Sequence, residues 1–238
     1  MSTSYFNNKR DQIYVQFKNA RHNPDLMRDA RAYLLNEENH QYQRRDSKNW
    51  PKPDTPFSDI REKQTTTIFV ATDDVFLIGN QHSFSAGQYP GEPGTPGMSM
   101  VHLLAISRTN YFNPVLMGSS EARIFLDMID FFKRHWDVPQ FRGSVLEHQK
   151  KAVEKRGKTT QAGLSEARKQ LEELEGTIHE LKFEDFAFGF HLWPDNSVPH
   201  LHMHIIAMPE KYRRYSTRSH DEKTKNAYEV YDYIRDHQ

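Results

Sequence analysis

The sequence predicts an α+β fold, an antiparallel β-sheet with helices packed on one face. Three observations carry that prediction. Short β-rich runs bounded by turn residues recur along the chain. A strongly apolar helical stretch, "SSEARIFLDMIDFFKRHW", lies between them. The run "SVPHLHMHIIAMP", residues 197–209, alternates histidine with hydrocarbon, the period of a β-strand.

Residues 1 to about 60 read as polar and irregular. "NPDLMRDARAYLLNEEN" predicts one helix with Leu26, Ala30 and Leu34 on a face and Pro24 near its start. "NHQYQRRDSKNWPKPDTPFSD" carries three prolines and reads as a loop or arm lying on the domain. Thr66–Ala71 and Val75–Ile78 flank the turn-forming Thr72, Asp73 and Asp74, which predicts a hairpin. "SAGQYPGEPGTPGM", residues 85–98, is too rich in Gly and Pro for regular structure, and a loop of that length predicts function or mobility. "MVHLLAIS" is the next strand. Ser119 or Ser120 caps the apolar helix, which packs on the sheet through Ile124, Leu126, Met128, Ile129, Phe131 and Phe132.

Leu164, Ala167, Leu171, Leu174, Ile178 and Leu181 then form a short heptad seam. With Gly157 and Gly163 before it, the seam predicts a helical hairpin inserted at about 144–182; self-association is the other use of such a seam. "FEDFAFGFHLWP" reads as a strand, the histidine strand follows, and a last helix is expected over about Thr224–Asp236. The organisation expected is an N-terminal extension over 1–60, a sheet domain over 61–210 and a C-terminal basic tail and helix over 211–238.

Composition excludes several classes. Lys plus Arg and Asp plus Glu are 32 each, so no global field points to nucleic acid, although a local basic patch is compatible with it. The absence of Cys removes disulfides, thiolate zinc sites and a Cys nucleophile. No run approaches the ~18 apolar residues of a membrane span. The N-terminus lacks the apolar core of a signal peptide. No membrane partner is expected, and the expected setting is cytosol or nucleus.

On a strand, His200, His202 and His204 share one face, directed at a cleft, with Leu201, Met203 and Ile205 directed at the core. Three readings compete for them. They are exposed residues on a surface strand. They are metal ligands, since His-x-His pairs bind zinc or iron, although no HExxH and no Cys accompanies them. Or they are catalytic imidazoles, one attacking phosphorus while its neighbours orient it and hold phosphoryl oxygens.

"HLHMHII", residues 200–206, resembles the His-φ-His-φ-His-φ-φ signature (φ apolar) of the histidine triad superfamily of nucleotide hydrolases and transferases. The preceding "NSVPH" is similar to that family's Q-(S/T)-V-x-H, with Asn196 in place of Gln. "HLLAISRTN", residues 102–110, resembles its H-φ-φ-φ-I-P-K-x-H, with Ser107 for Pro and Asn110 for the last His. The resemblance implies a histidine-triad-like sheet domain with an inserted helical hairpin and an N-terminal extension. It implies that His202 attacks the α-phosphorus of a nucleotide, that His204 contacts phosphate oxygens, and that His200 orients the nucleophile. It further implies that His102 supports the triad from across the sheet and that Ser197 helps protonate the leaving group. No metal or other cofactor is implied. The implied partners are a nucleoside phosphoramidate, dinucleoside polyphosphate or adenylated conjugate, and a second copy of the chain in a homodimer. A non-catalytic nucleotide-binding module and a metal-dependent hydrolase are the alternatives.

The family's Gly- and Asn-rich phosphate stretch is replaced here by "GFHLWPDN", with bulky His191 and Trp193. Trp193 is either a stacking platform for a base or a packing residue. Arg108 is either within reach of an anionic ligand or a surface residue. "KYRRYSTR", with Lys211, Arg213, Arg214 and Arg218, is either a phosphate-seeking segment or a solvated basic tail.

Overall fold

The computed structural model describes residues 9–44, 46–58, 60, 67–80, 82, 84, 99–213 and 218–237. The fold is α+β. Six strands form one antiparallel sheet in the order β1-β2-β3-β5-β4-β6: β1 Ile68–Ala71, β2 Val75–Gly79, β3 His102–Ser107, β4 Phe186–His191, β5 His202–Ala207 and β6 Thr224–Asn226. The expected hairpin is β1-β2. Thr72 closes it, its Oγ1 accepting the N–H groups of Asp74 and Val75 at 3.2 and 3.0 Å. The Gly/Pro-rich loop expected over 85–98 lies outside the described residues.

Register divides the sheet into two faces. In β3 against β5, His102 pairs Ile206, Leu104 pairs His204 and Ile106 pairs His202. Leu103, Ala105, Met203, Ile205 and Ala207 therefore share the opposite face, the one that carries the main core. There α4, Ile124–Trp136, lays Phe132 and Trp136 on Phe186 at ring separations of 4.8 and 4.5 Å. The Trp136 indole N–H donates to the Leu181 carbonyl at 2.8 Å, so its polar edge is satisfied. The short helix before it, α3 Ser119–Ala122, is capped by Gly118 instead of Ser119 or Ser120. The Glu121 carboxylate accepts the Gly118 N–H at 2.8 Å.

The helical hairpin is α5 Pro139–Thr159 and α6 Leu164–Thr177, joined at Gly163, whose φ of 66° suits glycine. The heptad seam is buried within the chain at Leu164, Ala167, Leu174, Ile178 and Leu181. The C-terminal segment splits: Thr224–Asn226 add the edge strand β6 beside β4, and α9, Ala227–His237, follows. Two short helices precede it, α7 Glu210–Arg213 and α8 Arg218–Lys223.

The N-terminal region differs most from expectation. Its described residues include the helices α1 Arg10–Arg21 and α2 Pro24–Leu34, and both contribute to the main core. In α1, Ile13, Phe17 and Ala20 form a buried stripe at helical spacing. Tyr14 and Val15, 50% and 49% exposed, blur that stripe in the sequence. In α2 the buried face runs through Leu26, Asp29, Ala30 and Tyr33; Leu26 and Ala30 lie on the face expected, whereas Leu34 is left 36% exposed.

Candidate functional site

The triad strand presents its imidazoles as its alternation requires. Leu201, Met203 and Ile205 enter the main core. His200, His202 and His204 lie on the other face, but they are buried there, at 2%, 7% and 8% exposure. An open cleft was the expectation. Burial is tolerated because the rings find partners, which is what buried polar groups require.

The partners fix where the protons sit. A carbonyl only accepts, so His202 Nδ1, 2.7 Å from the His200 carbonyl, carries a hydrogen and leaves Nε2 as the basic nitrogen. His200 Nε2 donates to the Ser107 carbonyl at 2.7 Å, and its Nδ1 accepts from the Tyr33 hydroxyl at 2.5 Å. A second chain serves His204. Asn80 Oδ1 accepts the His82 N–H at 2.9 Å, which turns its amide NH2 toward His102 Nδ1 at 3.2 Å. His102 Nε2 then donates to His204 Nδ1 at 2.9 Å, placing the His204 hydrogen on Nε2. These tautomers follow from the network of donors and acceptors. Burial also holds the His202 pKa below its usual value, the carbonyl of His200 opposing only in part, so the ring is neutral at neutral pH.

The surroundings of the triad are asymmetric. On one side Phe57, Ile60, Phe76, Ile78, Leu104 and Ile106 form an apolar cluster. The Phe57 ring lies 5.0 Å from that of His202. On the other side the His191 ring lies 4.2 Å from that of His204, with His191 Nε2 3.0 Å from Thr224 Oγ1. Among the described residues no group of three His, Asp or Glu is arranged to hold a metal ion.

The structure brings His102, His200, His202 and His204 together. Ser197 is exposed on the loop before the strand. Asn196 is buried. Its Nδ2 donates to the Val198 carbonyl at 3.3 Å, and its Oδ1 has no hydrogen-bond partner among the described residues. Trp193 packs edge-on against Trp50 at 6.2 Å and borders the main core. Arg108 is tied to the hairpin turn: its guanidinium donates to the Thr72 carbonyl at 2.9 Å and lies 5.2 Å over Phe76. Lys211 and Arg213 pair with Glu180 and Asp221 at 2.6 and 2.5 Å. Arg214 lies outside the described residues. Tyr33, Phe57 and Asn80 were absent from the sequence expectations. Asn80 directly follows a strand that pairs with the one bearing His102, so adjacency could have found it. Tyr33 stands 167 residues from its partner, and no local pattern signals it.

The family described as "Scavenger mRNA decapping enzyme C-term binding" matches residues 150–220, a stretch that holds β4 and the triad strand. The match covers less than half of the chain, and it is the triad-bearing part that is similar to that family. No curated protein matches the chain. Among solved structures, "Hnt3 in complex with DNA and guanosine" is 14% identical over 68% of this chain and 64% of that one, with a TM-score of 0.34. "Hnt3" is 18% identical over 68% of this chain and 65% of that one, with a TM-score of 0.30. The chain thus spans just under two thirds of either structure. No helix among the described residues is long and apolar enough to cross a membrane.

Proposed function

We propose that the chain is a nucleotide hydrolase or nucleotidyl transferase that works through His202 without a metal. One observation carries the reading: the His202 Nδ1 hydrogen is committed to the His200 carbonyl at 2.7 Å, which leaves Nε2 as the nucleophile. Nε2 attacks the α-phosphorus, a nitrogen–phosphorus bond forms, and the bond from phosphorus to the leaving group breaks. Ser197 helps return a proton to the departing atom. Water, or an acceptor hydroxyl, then attacks the same phosphorus, the nitrogen–phosphorus bond breaks to release neutral His202, and the proton lost by the attacking oxygen replaces the one Ser197 gave up. The hydrogen on His204 Nε2 is offered to a phosphoryl oxygen as charge develops there. The apolar cluster beside His202 suits a flat base and sugar, and the imidazole side suits phosphate. The substrates this fits are a nucleoside phosphoramidate, a dinucleoside polyphosphate or an adenylated conjugate.

A second reading is a nucleotide-binding module without turnover. The Phe57 ring over the nearly buried His202 favours it, because attack on phosphorus needs an open approach to Nε2. Incubation with adenosine phosphoramidate and with a dinucleoside polyphosphate separates the readings. Nucleotide release is expected, unchanged by chelator, and lowered by at least ~10⁴-fold in His202→Ala, the order seen when a nucleophile is removed. Mass spectrometry of acid-free quenched enzyme should show a nucleotidyl adduct on His202. Binding without release supports the module, and release abolished by chelator supports a metal-dependent hydrolase.

A further inference from the structure

The first histidine of the triad is set by a residue far outside the motif. His200 Nε2 must carry a hydrogen, since its partner at 2.7 Å is the Ser107 carbonyl. Nδ1 is therefore a bare acceptor, and the Tyr33 hydroxyl meets it at 2.5 Å. Both side chains are buried, Tyr33 at 1% exposure. A neutral acceptor nitrogen in such a place requires a donor, and the Tyr33 hydroxyl supplies it. The two rings meet edge to face, 5.9 Å apart at 77°.

The consequence reaches the nucleophile. The carbonyl that fixes the His202 tautomer belongs to His200, so whatever pins His200 pins that acceptor. Tyr33 is delivered by α2, and one turn earlier on the same face Asp29 grips the chain that follows. Asp29 accepts from Trp50 Nε1 at 2.8 Å, from the Gln43 N–H at 2.6 Å and from His40 Nε2 at 3.0 Å. The N-terminal segment is thus bound into the site rather than laid upon it.

We infer that Tyr33 is a positioning residue for the triad: its hydroxyl holds His200 in the Nε2–H tautomer and so presents the His200 carbonyl to His202. The tautomer is a property of the folded chain. Only the kinetic consequence rests on the reading of His202 as nucleophile.

The test uses the full chain and Tyr33→Phe, which keeps the ring and removes the donor. In long-range ¹H–¹⁵N spectra of histidine-labelled protein, wild-type His200 should show one tautomer, hydrogen on Nε2. A slowly exchanging Tyr33 hydroxyl proton should couple to His200 Nδ1. In Tyr33→Phe that proton vanishes and His200 becomes a tautomer mixture or is protonated. With adenosine phosphoramidate, kcat should fall on the order of tenfold with KM changed less than about twofold, the loss of one oriented hydrogen bond felt in the transition state. An unaltered His200 signature with wild-type kcat overturns the inference, as does a fall in melting temperature alone. The wild-type hydroxyl coupling decides the matter even if the variant fails to fold; its absence overturns the inference. If the wild type releases no nucleotide, the proposed chemistry fails while the spectra still decide the role of Tyr33.

Discussion

At the scale of single residues, the site is an arrangement of ring nitrogens whose protons are assigned by their neighbours. The alternation of histidine with Leu201, Met203 and Ile205 was legible because a strand's period of two is a local property. The burial of the histidines was not legible, because it depends on Phe57 and on Tyr33, each brought from afar. That burial has a measurable consequence. Desolvation holds the His202 pKa below the ~6.5 of an exposed imidazole. In the proposed chemistry the attacking form is the neutral ring, so activity should be flat through neutrality and decline only in acid, below ~6.5. The same shift acts on stability. In the unfolded chain His202 takes a proton near ~6.5, but in the folded chain only at lower pH. Stability contributed by the neutral ring is therefore present above ~6.5 and is lost as pH falls through the lowered folded value. A pH profile of kcat/KM whose acid limb is centred above ~6.5 would sink this account of His202.

At the scale of elements, the inserted hairpin reaches the chain of hydrogen bonds behind His102 through His148. The α5 residue His148 lies against Gly79 at the end of β2, and its Nε2 donates to the Asn80 carbonyl at 3.1 Å. The Asn80 amide in turn orients His102. The hairpin was legible from its heptad seam and glycines. Its contact with the sheet was not, because a glycine in a strand does not announce which ring fills the space it leaves. A Cβ added at Gly79 would sit 2.3 Å from His148 Cδ2. The ring cannot yield without giving up its hydrogen bond to Asn80. Gly79→Ala should therefore destabilise the chain by about 1–3 kcal/mol, the usual range for overpacking. His148→Ala should remove the clash, so the double variant should be more stable than the sum of the single effects implies. Thermal melts of the four proteins make the cycle, and strict additivity would refute the contact.

At the scale of the whole molecule, the N-terminal helices are built into the main core, and Asp29 is where that region is fastened. The sequence concealed this. An acidic residue within a helix ordinarily predicts a solvated position, yet Asp29 is fully buried. Burial by itself raises the pKa of its carboxyl, but hydrogen bonds from His40, Trp50, Gln43 and Arg28 outweigh that and hold it below the usual value. The carboxylate thus contributes stability that is complete above the unfolded value of ~3.9 and is lost as pH falls through the lowered folded value. Asp29→Ala would leave the Trp50 indole N–H buried without its acceptor and would remove the acceptor of the part-buried Gln43 backbone N–H. A buried donor left without a partner costs about 1–3 kcal/mol, so the Trp50 indole alone makes the loss large. Asp29→Asn keeps one acceptor oxygen and the shape but no charge, and should lose less while flattening the acid limb of the stability curve. If Asp29 fastens the segment that leads to Phe57, either variant should also expose His202. Diethyl pyrocarbonate labelling of His202 should then run faster in the folded variants than in wild type. Equal labelling rates would show that Phe57 holds its place beside His202 without Asp29.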